Sequence, residues 1–85
     1  MKQTLNSKSY AALSQWLKAK RLEKNLTIRE FAQQLDVHHS VVGKIETGHR
    51  KVDIVEFIVF CRALDADPQE AIELISMSMT MKKIY

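Results

Sequence analysis

The sequence predicts a single all-α domain, and three observations carry that assignment. Helix-start chemistry recurs along the chain, at Thr27-Ile28-Arg29-Glu30, Asp53-Ile54-Val55-Glu56 and Asp67-Pro68-Gln69-Glu70. The apolar residues that follow these starts are set out as short helices separated by brief breaks, with no internal repeat and no low-complexity tract. A length of 85 residues with one proline and two glycines suits one compact domain with little excess stability, and leaves no room for a second.

Taken in chain order, residues 1–8 are polar, hold no periodic apolar set and are expected to form a flexible N-terminal arm. A first helix is predicted from Ser9 to Lys24, carrying Leu13, Trp16, Leu17 and Ala19 toward one side with lysines opposite, and Asn25 ends it. The second starts at Thr27. There the threonine caps a free amide and Glu30 reaches back, while Leu26 packs on Phe31 as a hydrophobic staple. A third, short segment from His38 to about Thr47 has only the staple of Val37 with Val42. A fourth begins with the Asp53 box and its Val52–Phe57 staple. A fifth begins at Asp67, with proline at the favoured first position. Residues 9–78 are thus assigned to the domain and 79–85 to a C-terminal tail.

Composition excludes several classes. No apolar run reaches the ~20 residues that span a bilayer, and the N-terminus lacks a secretory apolar core, so no membrane association and a cytoplasmic location are expected. Cys61, the single cysteine, sits in the apolar run Val55 to Leu64 and is expected to be an inert core thiol. His38 and His39 are adjacent, so on a helix they point about 100° apart, and no second ligand pair accompanies them for zinc. Without a Gly-rich phosphate loop, metal-ligand spacing or depth for a substrate pocket, the chain is predicted to be no enzyme and to need no cofactor. The net charge of +3 is modest, but its distribution is uneven. Cations from Lys18 to Lys51 precede a stretch crowded with Asp53, Glu56, Asp65, Asp67, Glu70 and Glu73, which predicts one cationic and one acidic face.

Between the helices at Thr27 and His38 there is space only for a tight turn, with Leu35 and Val37 as the apolar residues that let the pair pack. This is a helix-turn-helix arrangement, in which the second helix enters the major groove of DNA. Val42 and Ile45 would face the core, leaving His39, Ser40, Val41, Gly43 and Lys44 outward. Residues Leu26-Thr27-Ile28-Arg29-Glu30-Phe31-Ala32-Gln33-Gln34-Leu35-Asp36-Val37, followed by Val41-Val42-Gly43-Lys44-Ile45-Glu46-Thr47-Gly48, resemble the Cro/C-repressor (XRE) family over roughly residues 13–75.

That resemblance implies a five-helix, lambda-repressor-like DNA-binding domain acting in transcriptional regulation, with an ion pair between Arg21 and Glu46. It also implies base contacts from His39, Ser40 and Lys44, whose donors and acceptors suit base edges, and Val41 is placed to meet a thymine methyl. Many phage repressors of this family carry a phosphate-binding glutamine where this chain has Ile28, so that contact does not transfer. The open helix end at Thr27 and the charge of Arg29 offer phosphate contacts instead. Gly48 is expected to cap the recognition helix with a positive φ, and His49, Arg50 and Lys51 then form a basic loop that grips phosphate. Gly43 implies either close approach of DNA or a site where nothing larger fits.

Readers of palindromic operators bind as symmetric pairs, so a repressor working as a homodimer on double-stranded DNA is expected. The final segment has surplus apolar surface, which assigns Leu74, Met77 and Met81 to the dimer interface. The alternation Ser76-Met77-Ser78-Met79-Thr80-Met81 is equally a strand pattern, and a frayed tail is a third reading. The alternative function is a protein-binding one, as an antitoxin facing a toxin partner or as an adaptor.

Overall fold

The computed structural model describes residues 7–79 as five helices, with no strand among them: α1 (Ser7–Glu23), α2 (Ile28–Leu35), α3 (His39–Glu46), α4 (Ile54–Leu64) and α5 (Pro68–Ser78). None is long and apolar enough to cross a membrane. α1 begins two residues earlier than predicted, taking Ser7 and Lys8 out of the expected arm; residues 1–6 lie outside the described residues.

Two of the helix starts are full capping boxes. Thr27 Oγ1 accepts from the Glu30 amide at 3.0 Å while Glu30 Oε1 accepts from the Thr27 amide at 2.8 Å, and Asp53 with Glu56 repeats the exchange. The third predicted box is incomplete. Asp67 caps the Gln69 amide at 3.0 Å, but Glu70 is drawn instead to α1, where its carboxylate accepts from Trp16 Nε1 at 2.9 Å and pairs with Lys20 at 2.8 Å. α3 has a cap that the staple alone did not predict: His38 Nδ1 accepts from the Ser40 amide at 3.1 Å.

The ends of α1 to α4 share one device. Asn25, Asp36, Gly48 and Asp65 all adopt positive φ, and each following amide bonds back five residues: Leu26 to Arg21, Val37 to Ala32, His49 to Lys44, Ala66 to Cys61. This closes the free carbonyls that every helix end leaves.

The core comprises Trp16, Leu17, Phe31, Ala32, Val42, Ile45, Phe57, Phe60, Cys61, Leu64 and Ala71. Phe31 meets Phe60 edge-on at 5.4 Å between centroids. Ala19 is exposed rather than inward, because two residues beyond Leu17 turn it about 200° round the helix; Arg21, four beyond Leu17, takes the inward place. Cys61 is buried, and burial pushes its thiol pKa up. α5 lies along α1 through Ala71, half-buried Ile75 and Ser78, whose hydroxyl meets Ser9 Oγ at 3.1 Å. The helix therefore continues through Ser76, Met77 and Ser78, and the strand reading fails there: a helical spacing of four and three brings the inward residues to α1, which alternation would not.

Candidate nucleic-acid interface

α2 and α3 pack against each other across the turn at Asp36–His38, with Phe31 and Ala32 buried on one helix and Val42 and Ile45 on the other. The angle of α3 is fixed from behind by Arg21. Its Nε and Nη2 donate to the two carboxylate oxygens of Glu46 at 2.7 and 2.8 Å, and its Nη1 donates to the Leu26 carbonyl. Both side chains are almost fully buried. The hydrogen bonds that Arg21 donates to Glu46 push the guanidinium pKa above its usual value against the cost of burial. Two parallel bonds constrain orientation as well as distance, so α1 and the end of α3 move as one body.

With that side anchored, α3 turns the remaining residues outward. Lys44 is exposed, and His39 and Ser40 are half-exposed. Val41 is half-buried against the core, so only part of its side chain is open to a base methyl. A Cβ added at Gly43 would meet nothing within 4 Å. The domain itself therefore has space for a larger residue, which removes internal crowding as the reason for glycine.

α2, the turn after it and the first residue of α3 border an open cleft of about 460 Å³ lined by Arg29, Glu30, Gln33, His38 and His39 among others. The two imidazoles stack with centroids 4.3 Å apart. Partial burial, then the nearby Arg29 charge and His38, hold the His39 pKa below the ordinary histidine value. The Thr27 amide and hydroxyl lone pair are used in its capping box, but the hydroxyl proton is still available to an acceptor, and the Ile28 and Arg29 amides lie at the open helix end.

The basic loop is more committed than its charge implied. Arg50 is paired twice with Glu56, at 2.9 and 3.3 Å, His49 Nδ1 meets Thr47 Oγ1 at 2.9 Å, and the Lys51 ammonium lies 4.7 Å from the Tyr10 ring centroid. Lys51 and His49 remain exposed; Arg50 is half-buried. Gly48 has φ 84°. Leu74 and Met77 are exposed on α5, remote from this loop in sequence, and Met81 lies outside the described residues. Among the described residues no group of three or more His, Cys, Asp or Glu is placed to hold a metal ion.

Three contributors escaped the sequence reading. Gln33 was detectable, since it is four residues from Arg29 and so shares its helix face. The His38 cap is local but uses a ring nitrogen that is not among the usual capping groups, and the Glu56 hold on Arg50 depends on how the loop turns back onto α4.

A helix-turn-helix family model matches residues 17–70. Among solved structures, an XRE-family like protein from Pseudomonas syringae pv. tomato str. DC3000 superposes with a TM-score of 0.80 at 29% identity, over 92% of this chain and 95% of that one. The clp gene regulator ClgR from C. glutamicum does so with a TM-score of 0.74 at 26% identity, over 86% of this chain and 95% of that one. No curated protein sequence matches.

Proposed function

The chain belongs to the XRE-type helix-turn-helix family, and from that premise we propose that this DNA-binding regulator is a repressor that docks α3 in the major groove of a palindromic operator as a homodimer. The observation that carries the reading is the buried Arg21–Glu46 clamp. It makes α3 a rigid presenter of Lys44, His39 and Ser40, the residues assigned to base edges, with Val41 a minor contributor. Lysine suits the paired acceptors of guanine.

Phosphate contacts are assigned to Arg29, the Thr27 hydroxyl with its neighbouring amides, His49 and Lys51. Arg50 contributes mainly by stiffening the loop through Glu56, with an outer guanidinium edge left for phosphate. The similarity to a clp gene regulator is consistent with control of transcription. Repression follows where such a dimer covers a promoter.

Selection of bound duplexes from a random pool tests this. The expected result is an enriched sequence with two-fold symmetry and half-sites about one helical turn apart. Enrichment of an unsymmetrical single site would overturn the dimer, and no enrichment at all would overturn sequence reading and turn attention to a protein partner.

A further inference from the structure

α4 is apolar on both sides. Phe57, Phe60, Cys61 and Leu64 enter the core, while Ile54, Val55 and Val59 are 66%, 69% and 48% exposed on the outside. With half-buried Ile58 and the side chain of Arg62 they line a shallow apolar hollow. A helix that is apolar all round normally has cover on all sides.

We propose that the cover is a second copy of this chain, docked about a two-fold axis through antiparallel α4 helices. This rests on the homodimer reading above and names its surface. Ile54, Ile58 and Arg62 recur every four residues, with Val55 and Val59 beside them, so they form one stripe centred on Ile58. A two-fold axis at that centre sets the Ile54 end of each helix against the Arg62 end of the other.

Charge complementarity follows from the same geometry. Asp53, just before the stripe, is exposed, caps the Glu56 amide and feels the charge of Arg50 without forming an ion pair within 4 Å among the described residues; Arg62 likewise forms no ion pair there. They stand nine residues apart, about 13.5 Å along the helix. The antiparallel pair brings the Arg62 of each copy toward the Asp53 of the other at both ends, whereas a parallel pair would set like charges together. Glu56, the remaining charge on α4, is already held by Arg50. That pair also ties the loop after α3 to the first turn of α4, placing the axis near the segment that meets DNA.

The competing apolar surface, Leu74 and Met77 on α5, is bordered by Glu23, Glu70 and Glu73 against the single Lys20. Doubling it about a two-fold axis would oppose carboxylates to carboxylates.

Sedimentation of the full chain, with and without a duplex carrying two half-sites, tests the assignment. Val55→Lys and Arg62→Glu should each raise the dimer dissociation constant by at least about tenfold, with helicity unchanged because both positions are exposed. Adding Asp53→Asn, which keeps the cap, to Arg62→Glu should restore part of the loss. Met77→Lys should leave association as in the wild type. A dimer insensitive to Val55→Lys and Arg62→Glu, or one lost only with Met77→Lys, overturns the α4 surface while the homodimer reading stands. A wild type monomeric both free and on DNA overturns the homodimer and this surface with it.

Discussion

Arg21 and Glu46 are each too buried to be left alone, which makes their pairing an orientation device with a large cost of breakage. Removing one partner strands the other charge, so Arg21→Ala and Glu46→Ala should each destabilise the domain by about 3–5 kcal/mol, while the double change costs less than the sum. Arg21→Ala should be the worse of the two, since it also abandons the Leu26 carbonyl. A cycle of urea titrations reads this directly, and simple additivity would mean the pair contributes no coupling. Gly43 offers a contrast in sign. Alanine there meets open space inside the protein and should stabilise the free domain by about 0.5–1 kcal/mol. Where DNA backbone or bases close on that position, the same methyl should weaken operator binding. A Gly43→Ala variant that is both more stable and an equal binder would remove the close-approach explanation.

At the scale of the helices, ends rather than middles carry most of what sequence could reveal. The capping boxes at Thr27 and Asp53 were legible because they depend on residues three apart, and the stops at Asn25 and Gly48 because both types tolerate positive φ. Asp36 and Asp65 end helices in the same left-handed conformation and were not legible, since aspartate does so less often and the Schellman closure overrides its preference. Such strain is removable: Asp65→Gly should raise stability by up to about 1 kcal/mol, less the weak exposed contact to Lys24. That corresponds to a rise in Tm of up to about 4–8 °C for a domain this small, readable by thermal melting, with operator binding unchanged. Glu70 shows the other limit of sequence reading. Its spacing from Asp67 predicted a local box, but Trp16 and Lys20, fifty or more positions earlier along the chain, outcompete the backbone amide. The helix-turn-helix and its outward residues were readable because their spacing is local. The apolar outer face of α4 was not, because an apolar run shows how much surface needs cover and not how much the fold leaves uncovered.

Across the whole molecule, the charges assigned to DNA gather on α2, α3 and the loop after it, while Glu23, Asp65, Asp67, Glu70 and Glu73 lie by α1 and α5, and pH and salt should act on the two functions differently. His39 titrates below the ordinary histidine value in the folded chain, through partial burial and then Arg29 and His38. The unfolded chain therefore takes up its proton first, and the domain loses stability as pH falls from about 6.5. The negative potential of DNA around the groove favours the charged form of His39, so operator affinity should rise over the same interval; a His39→Gln variant with an undiminished pH dependence of binding would place that ring away from DNA. Salt separates the lysines. Lys51→Ala, in the loop, should weaken binding to all duplexes alike and reduce the slope of log affinity against log salt by about one phosphate contact. Lys44→Ala should instead relax the preference at one base position per half-site, losing about 1–3 kcal/mol on the operator and little on random DNA. Fluorescence anisotropy across single-base operator variants at several salt concentrations distinguishes the two. If both variants lose affinity uniformly and with the same change in slope, α3 does not lie in the major groove with Lys44 at a base edge, however firmly Arg21 holds it.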